Sequence, residues 1–333
     1  MGPTLRVITS DELKQRLRSK SEHAILDVRR EGDFSKGHLF FASNVPRSLL
    51  EVRIEGLIPK RQVPIALCAE DEASAVDAAR VLAKFGYDDV VVLAEGVEGW
   101  LRDGGHIFSG VNVPSKAFGE FVEKTANTPH ISPQSLKEML DRRENIVIFD
   151  ARPFAEYQTM SIPSAIDCPG GELVFRATAN LPAPGAMVVV NCAGRTRSIV
   201  GAQTLIDAGI PNPVASLKDG TMAWLLSGRT LAQGRVTPLP EPTAAALEGA
   251  RSRAEGVAAR AGVRRIDESG LAALEAASQT HTLYRFDVRT RSEYESGHLP
   301  GWRWAPGGQL VQATDEYLAT RRARIVQIGR AHV

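Results

Sequence analysis

The sequence predicts an α/β fold made of tandem domains, each a small doubly wound parallel sheet flanked by helices. The first observation behind this prediction is a pattern that occurs three times in the 333 residues. An Asp-x-Arg tripeptide ends an apolar run, and six positions after its Asp comes an acidic residue followed by an aromatic one. The tripeptides span 27–29, 150–152 and 287–289, and the acidic-aromatic pairs begin at Asp33, Glu156 and Glu293.

The second observation is that two further landmarks keep the same spacing. A cysteine follows a second apolar run at Cys68 and again at Cys192, and a Gly/Trp segment ends at Trp100 and again at Trp224. The first two tripeptides are 123 positions apart, and the Cys and Trp pairs are each 124 apart. Such a constant offset indicates duplicated domains, because solenoid repeats have periods of only about 20–50 residues.

Within the copies, short continuous apolar runs alternate with helical patterns. The predicted strands are 24–26, 65–67 and 90–93 in the first copy, and 146–149, 187–190 and 214–217 in the second. The predicted helices are 12–17, 73–84, 133–142 and 198–208. Ser132 and Pro133 supply an N-cap and a first-turn proline for the third of these. Alternation of this kind favours a parallel sheet covered on both faces with right-handed crossovers.

These landmarks divide the chain into six segments. We predict three domains, over 1–110, 129–232 and 264–327, with a tail over 328–333. The linker over 111–128 contains one helical piece at 115–124. The linker over 233–263 is rich in Pro and Ala, with prolines at 238, 240 and 242 and a helix at 243–261.

The third copy is cut short. Its strand candidate is 324–327, and Ile328 and Gly329 stand where a cysteine is due. The last six residues equal the translation of a common sequencing adapter, so we predict a non-native tail.

Composition excludes several classes of protein. A hydrophobic content of 43% with 24% charged residues is globular, and a net charge of +1 gives no footprint for nucleic acid or an anionic membrane. No apolar run approaches the roughly 20 residues that span a bilayer, and the N-terminus has no signal-peptide core. Three cysteines without a CxxC pair are too few for a disulfide framework. We therefore predict a cytoplasmic protein without metal or nucleotide cofactors.

The loop that starts at Cys192 carries the chemistry. A thiol is a nucleophile as thiolate, and its free pKa of about 8.5 leaves only a minor fraction ionised at neutral pH. Three features of 192–198 favour the thiolate: the N-terminus of the next helix at Ser198, small residues at Ala193 and Gly194 that let the loop amides converge, and the charges of Arg195 and Arg197. The alternative is a structural core cysteine with its arginines in solvent.

The three landmarks together resemble the rhodanese domain of sulfurtransferases. The resemblance covers the first two copies and the first half of the third, and the span from Cys192 to Arg197 is similar to the six-residue active loop of that family. It implies that Cys192 attacks a sulfane sulfur donor such as thiosulfate and passes the sulfur from a persulfide to a thiophile, either cyanide or a thiol. Arg195 and Arg197 would bind the donor, with loop residues Ala193, Gly194, Thr196 and Ser198 around the sulfur. A protein acceptor of sulfur is a further possibility.

Two other classes of function remain as alternatives. A rhodanese-like module without catalysis would bind a partner or carry persulfide for another enzyme. Rhodanese-related phosphatases and arsenate reductases have one more residue in this loop, so the count of four residues between Cys192 and Arg197 disfavours them. No nucleic acid, membrane or metal partner is predicted.

The other cysteines and the repeated tripeptide have weaker predicted roles. Cys68 is a secondary candidate, but acidic residues at 70–72 replace the basic loop and Ala73 stands at the counterpart of Arg197, so we expect an inactive first domain. Cys168 is interpreted as structural, with a resolving cysteine as the alternative. Structural support is assigned to four residues: Asp150, Arg152 and Glu156, which would hold the strand end by buried ion pairing, and Trp224, which would pack beside the loop. By analogy, 170–172 would form the opposite wall.

Overall fold

A computed structural model describes residues 6–181, 185–236 and 239–329. From residue 6, where the described part of the first copy begins, five strands and five α-helices follow one another. They are β1 (Arg6–Ile8), α1 (Ser10–Arg18), β2 (Ala24–Asp27), α2 (Glu31–Lys36), β3 (Ala42–Asn44), α3 (Leu50–Leu57), β4 (Ile65–Cys68), α4 (Glu72–Lys84), β5 (Val90–Leu93) and α5 (Gly96–Arg102).

A connecting helix and the second copy follow. The elements are α6 (Val113–Ala126), β6 (His130–Ile131), α7 (Pro133–Asp141), β7 (Ile146–Asp150), α8 (Phe154–Thr159), β8 (Ile166–Asp167), β9 (Met187–Asn191), α9 (Thr196–Asp207), β10 (Val214–Leu217) and α10 (Gly220–Leu226). A 3₁₀ turn at Gly170–Glu172 and a π-helical turn at Leu173–Ala177 lie between β8 and β9.

The remaining elements begin with another connecting helix. They are α11 (Ala244–Arg260), α12 (Glu268–Ala276), β11 (Leu283–Asp287), α13 (Arg291–Ser296), β12 (Arg303–Trp304), α14 (Gly307–Gln312), α15 (Thr314–Tyr317) and β13 (Arg324–Ile328). The chain divides into two compact units. One contains the first copy with 266–286 and 313–327, and the other contains 115–265 with 287–312.

The predicted parallel sheets are present. Strand order is β1-β5-β4-β2-β3 in the first copy and β6-β10-β9-β7-β8 in the second, the same order in both, and the neighbours run parallel. The third copy has three strands in the order β12-β11-β13. The fold class predicted from the repeated pattern is therefore confirmed, and the chemistry-bearing loops follow the carboxyl ends of parallel strands, where α/β sheets bind ligands.

Helices cover both faces of each five-stranded sheet. In the first copy Ile25 and Ala66 pack against α1, α2 and α5, whereas Leu26 and Leu67 pack against α3 and α4. Successive residues of a strand point to opposite faces, which is why strands buried on both sides are continuously apolar. The second copy repeats this division.

The Asp-x-Arg tripeptide forms the same brace in all three copies. The arginine folds back so that its Nε donates to the carboxylate two positions before it, at 2.8–2.9 Å. Its Nη2 donates to the carbonyl eight positions later, namely that of Gly37, Met160 or Gly297, at 2.6–2.8 Å. The brace ties the carboxyl end of β2, β7 or β11 to the helix that follows it, and this contact explains why the tripeptide recurs.

Several predicted boundaries shift slightly. The loop helix α9 begins at Thr196 and not at Ser198. The connecting helix α6 extends beyond the predicted piece 115–124 at both ends, and α11 is shorter by one residue at each end than the predicted helix 243–261. Pro238 and residues 330–333 of the predicted tail lie outside the described residues, whereas Ile328 ends β13. The segment boundaries and the third domain remain predictions. Within the described ranges, no helix has both the length and the apolar character that crossing a bilayer requires.

Candidate functional site

Cys192 directly follows β9 at the carboxyl edge of the second sheet and directly precedes the loop into α9. Its side chain is 2% exposed, and its Sγ donates to Ser198 Oγ at 3.5 Å. The Ser198 hydroxyl in turn donates to the Arg195 carbonyl at 2.8 Å. When Cys192 is ionised, the same hydroxyl can rotate and donate to the thiolate, so Ser198 is placed to stabilise either form.

The first turn of α10 holds the loop backbone. Thr221 donates to the Cys192 carbonyl through its amide at 2.8 Å and through its hydroxyl at 3.1 Å. The Met222 amide donates to the Ala193 carbonyl at 3.1 Å. In a trans peptide the C=O and N–H point in opposite directions. The amides of Ala193 and Gly194 therefore point away from α10, as an anion-binding loop requires.

The N-terminus of α9 differs from its counterpart in the first copy. Arg195 is the N-cap of α9, and within the described chain no side chain makes the capping hydrogen bond. In the first copy the N-cap of α4 is Asp71, whose carboxylate accepts from the Ser74 amide at 2.7 Å. The first-turn amides of α9 are thus open to an external anion, whereas those of α4 are partly occupied by the protein's own carboxylate.

Strand register corrects the predicted match between the two cysteines. Asp27 pairs with Cys68 in the first sheet, whereas Asp150 pairs with Asn191 in the second. Cys68 is therefore the counterpart of Asn191, and Ala69 occupies the place of Cys192. The loop of the first copy is one residue shorter, so the two sequences realign at the helix that follows.

The displacement by one residue also reverses the face of the side chain. Cys68 packs against the face that contains Ile25 and Ala66, and it is 0% exposed. Burial, with a smaller contribution from Asp27, raises the pKa of the Cys68 thiol well above its usual range. The burial and the raised pKa both disfavour Cys68 as a secondary reactive site. In the third copy the Val288 amide donates to the Ile328 carbonyl, as the matching amides do in the other copies, which places Gly329 at the Cys192 position.

Both arginines of the loop are paired with carboxylates, contrary to the cationic loop expected from sequence. Arg197 makes a bidentate pair with Glu156 at 2.7 and 2.9 Å. Arg195 contacts Glu120 at 3.0 Å and also pairs with Glu123, both on α6. Glu156 therefore does not join the buried pair at the strand end but holds Arg197. Sequence reasoning missed Glu120 and Glu123 because they lie in a segment predicted as a linker.

Two of the predicted support residues, Asp150 and Arg152, belong to a buried network under the loop. Asp150 and Arg152 pair at 2.7 Å with side chains 0% and 1% exposed, as the sequence predicts. Asn191 donates to the Asp150 carboxylate at 3.1 Å and to the Thr221 hydroxyl at 3.0 Å. Trp224 is 3% exposed, and its Nε1 donates to the Thr230 carbonyl at 3.0 Å. The sequence analysis did not find this network; an asparagine directly before the cysteine, at the end of an apolar run, is the signal that could have indicated it.

A small cavity of about 50 Å³ lies beside Arg197. Gly170 and Gly171 of the predicted wall line it, and Gly307 and Gly308 of the third copy line it as well. The two Gly-Gly segments touch so closely that a Cβ on Gly171 would lie 3.1 Å from the Gly308 amide nitrogen, and the reverse contact is also 3.1 Å. Equivalent segments of two copies therefore meet at this wall.

Gly220 is the residue through which α10 reaches the loop. It has φ +57°, and a Cβ there would lie 2.3 Å from the Cys192 carbonyl oxygen and 2.7 Å from the Gly194 carbonyl oxygen.

We expect Gly220→Ala to lower the free energy of unfolding by about 3 kcal/mol, since the strain of a left-handed backbone adds to a clash with the loop backbone. Gly228 has φ +79° with nothing within 4 Å, so Gly228→Ala reports strain alone, about 1 kcal/mol. Urea unfolding measures both, and equal losses would contradict the predicted clash.

Cys168 lies too far from Cys192 to act as a resolving cysteine. Cys168 follows β8 and Cys192 follows β9, and β7 separates these two strands. Two strand spacings put the Cα atoms about 10 Å apart, beyond the roughly 7 Å limit for a disulfide. Cys168 is 0% exposed, and burial, helped by Glu172, raises the pKa of its thiol well above its usual range. The structural interpretation of Cys168 is the one that fits.

Asp167 lies at the end of β8, beside Asp150 at the carboxyl edge of the second sheet, and the sequence analysis did not consider it. Its counterparts are Asn44, which donates to the Asp27 and Arg29 carbonyls, and Trp304, which donates to the Arg289 carbonyl at 2.9 Å. An ionised carboxylate cannot donate in this way, and Asp167 Oδ1 is buried without a hydrogen-bond partner among the described residues. Burial, followed by the charge of Asp150, raises the pKa of Asp167 to about 6.

This raised pKa predicts a pH-dependent stability. The folded protein holds the Asp167 proton more tightly than the unfolded chain does. The contribution of Asp167 to the free energy of unfolding therefore decreases as the pH rises from about 4 to about 6, and it stays at the lower value above pH 6. Asp167→Asn should raise the free energy of unfolding by about 1–2 kcal/mol at pH 7.5, after allowance for solvent screening, and by much less at pH 4.5. Urea unfolding at both pH values is the measurement. Asn44→Asp is the matched reverse change, and a gain from Asp167→Asn that did not depend on pH would contradict the prediction.

The described residues contain no group of three His, Cys, Asp or Glu side chains arranged to hold a metal ion. The fold and the loop together define a protein of tandem α/β domains, one of which presents a cysteine at the N-terminus of an uncapped helix. The Rhodanese-like domain family matches residues 9–103 and 132–227, more than half of the chain. The protein therefore belongs to the rhodanese-like family and carries its domain in tandem.

Three known proteins are similar to the chain. The crystal structure of thiosulfate sulfurtransferase from Pseudomonas aeruginosa has a TM-score of 0.94 and 47% sequence identity and covers 97% of the chain, which spans 62% of that protein. Putative sulfur carrier protein YrkF of Bacillus subtilis is 26% identical over 136 residues, 38% of this chain and 72% of YrkF. Protein YibN of Escherichia coli is 32% identical over 97 residues, 29% of this chain and 67% of YibN.

Proposed function

We propose that the protein is a sulfurtransferase that moves a sulfane sulfur from thiosulfate or a similar donor to a thiophile through a persulfide on Cys192. One observation carries the proposal: of the equivalent positions Ala69, Cys192 and Gly329, only the second is a thiol, and it stands before a helix whose first turn is uncapped. The similarity to the Pseudomonas aeruginosa thiosulfate sulfurtransferase supports the same reaction class. The second domain is then catalytic and the first is not.

The proposed reaction has two half-reactions. The Cys192 thiolate attacks the outer sulfur of the donor, the S–S bond of the donor breaks, and its electron pair leaves on sulfite. The persulfide anion is then stabilised by the amides of Ala193 and Gly194 and by the first turn of α9, as an oxyanion hole stabilises developing charge. Attack by cyanide or a thiol on the terminal sulfur regenerates the thiolate. All three cysteines of the chain are free thiols, which suits a reducing cytoplasmic setting.

A persulfide carrier is the second candidate function. It is favoured by the name of the relative YrkF, a putative sulfur carrier. A carrier would accept sulfur at Cys192 but would release it quickly only to a protein acceptor. The two candidates share the loaded cysteine and differ in their turnover with small thiophiles.

The test is intact-protein mass spectrometry after mixing the protein with thiosulfate. We expect a gain of one sulfur, release of one equivalent of sulfite, and complete reversal on adding cyanide, with the added sulfur mapped to the peptide that contains Cys192. A stable gain that cyanide removes only slowly would favour the carrier. Absence of any gain, with thiosulfate and with an organic thiosulfonate, would overturn both candidates.

A further inference from the structure

The guanidinium group of Arg195 is flanked by three carboxylates. Its Nε lies 3.0 Å from Glu120 Oε1, and its Nη2 donates to Glu120 Oε2 at 3.1 Å and to Glu123. Asp219 lies 3.9 Å from the same Nε. A guanidinium whose donors are already directed at carboxylates has few left for an anionic substrate, because its five N–H groups point in fixed directions.

The helix that supplies two of these carboxylates is seated firmly on the loop. Glu120 and Glu123 are three positions apart on α6, so they share one face of the helix. Gly119 of α6 approaches Thr196 so closely that a Cβ would lie 3.1–3.2 Å from its atoms. Nearer its start, α6 is anchored by the Ser115 hydroxyl, which donates to the Gln312 carbonyl at 2.6 Å. The acidic face of α6 is thus a built part of the site.

The local charge balance is negative. Two guanidinium groups, Arg195 and Arg197, are outnumbered by four carboxylates, those of Glu120, Glu123, Glu156 and Asp219. His130 Nδ1 lies 3.5 Å from Glu123 and adds a positive charge only when protonated. These groups therefore place a net charge of minus two beside the loop that would receive the donor. The repulsion between this charge and an anionic donor increases with the charge of the donor.

We propose that Glu120 and Glu123 are specificity-determining residues that select monoanionic or neutral sulfur donors over dianionic ones. This inference rests on the proposed function, in which Cys192 accepts the sulfur. Thiosulfate carries two charges, whereas an organic thiosulfonate or a protonated persulfide carries one or none. The donor class that the site favours is therefore an organic sulfane sulfur compound, and thiosulfate is used less efficiently.

Thiosulfate and an organic thiosulfonate react with the same atom balance. Cys192 sulfur forms a bond to the outer sulfur of the donor, and the donor S–S bond breaks. Its electron pair leaves on sulfite when the donor is thiosulfate and on a sulfinate when the donor is a thiosulfonate. Charge is conserved in each case, and no external oxidant or reductant is needed.

The first experiment measures kcat/KM for thiosulfate and for benzenethiosulfonate at ionic strengths from 0.01 to 0.3 M, with cyanide as the acceptor. Salt screens repulsion, since the Debye length falls from about 30 Å to below about 8 Å over this range. We expect kcat/KM for thiosulfate to rise about threefold with salt and that for the monoanion to rise less than twofold. A value for thiosulfate that falls with salt would indicate an attractive site and overturn the proposal.

The second experiment compares the double variant Glu120→Gln/Glu123→Gln with the parent protein. Glutamine keeps a hydrogen-bond acceptor for Arg195 and removes two negative charges, which leaves the local balance neutral. We expect kcat/KM for thiosulfate at low salt to rise about fivefold, about twofold for the thiosulfonate, and the salt dependence to flatten. Equal changes for both donors, or a loss for both, would show that the two carboxylates only support the fold.

Two controls separate charge from other effects. Glu138→Gln/Glu144→Gln removes the same two charges on and just after α7, away from the contacts of Arg195, and should change neither the donor preference nor the salt dependence. The salt dependence of the parent protein stands by itself even where a variant loses stability. If the parent takes sulfur from neither donor, the proposed function fails; if it takes sulfur and prefers the dianion at low salt, only this inference fails.

Discussion

Cys192→Ser is expected to lower the rate of sulfur transfer by more than about a thousandfold, to the background of the uncatalysed reaction. A serine hydroxyl has no accessible anion at neutral pH, and its oxygen cannot hold the transferred sulfur as a persulfide. The replacement is nearly isosteric, and the hydrogen bond to Ser198 at 3.5 Å can be replaced by one between two hydroxyls. We therefore expect the fold to be unchanged, and near-identical urea unfolding will check this.

The other two cysteines are the matched controls. Cys68 and Cys168 are each 0% exposed and belong to apolar clusters, so neither meets the donor in the folded protein. Cys68→Ala and Cys168→Ala should retain the transfer rate within about twofold, with a loss of stability from the small cavity that each leaves. Rapid turnover in Cys192→Ser, or its loss in Cys68→Ala without unfolding, would place the reaction elsewhere.

Asp150→Ala is expected to cause the largest loss of stability, about 3–5 kcal/mol in the free energy of unfolding. The change leaves the guanidinium of Arg152 uncompensated with its side chain 1% exposed. It also removes the acceptor that holds the Asn191 amide at 3.1 Å, directly before Cys192. Sulfur loading should therefore fall together with stability, because the support of the loop is lost. Urea unfolding followed by tryptophan fluorescence, with loading measured by mass, tests both effects.

Two comparisons isolate the cause of this loss. In the third copy the equivalent pair is more open, with the Arg289 side chain 25% exposed, so Asp287→Ala should cost less than Asp150→Ala. The surface pair of Lys137 and Asp141 has side chains 43% and 61% exposed, and Asp141→Ala should cost no more than about 0.5 kcal/mol. Similar costs at the three sites would show that burial does not set the energy of the brace.

A double variant tests independently whether the unpaired charge of Arg152 causes the loss of stability. Asp150→Ala combined with Arg152→Met removes the uncompensated charge and should be more stable than Asp150→Ala alone. A double variant less stable than the single one would mean that Arg152 supports the fold mainly through the Met160 carbonyl, to which its Nη2 donates at 2.6 Å.

Local patterns predict both the fold class, which is confirmed, and the candidate nucleophile. Apolar runs buried on both faces specify parallel strands, and a constant offset of 123–124 positions specifies duplication, because each depends on neighbouring residues or on counting. Cys192 was identified because strand end, small residues and helix start are contiguous in the chain. The brace between Asp150 and Arg152 is likewise local, since its partners are two positions apart.

Only the tertiary structure decided which groups meet across the chain, because such contacts join residues far apart in sequence. Glu156 is 41 positions from Arg197, and Glu120 is 75 positions from Arg195, yet these pairs help to turn an expected cationic loop into one with a negative local charge balance. The one-residue shift between Cys68 and the position of Cys192 came from strand register, which hydrogen bonding between strands sets and counting along the chain does not. The chain by itself therefore determined the fold and the candidate nucleophile, while packing determined the charge around that cysteine.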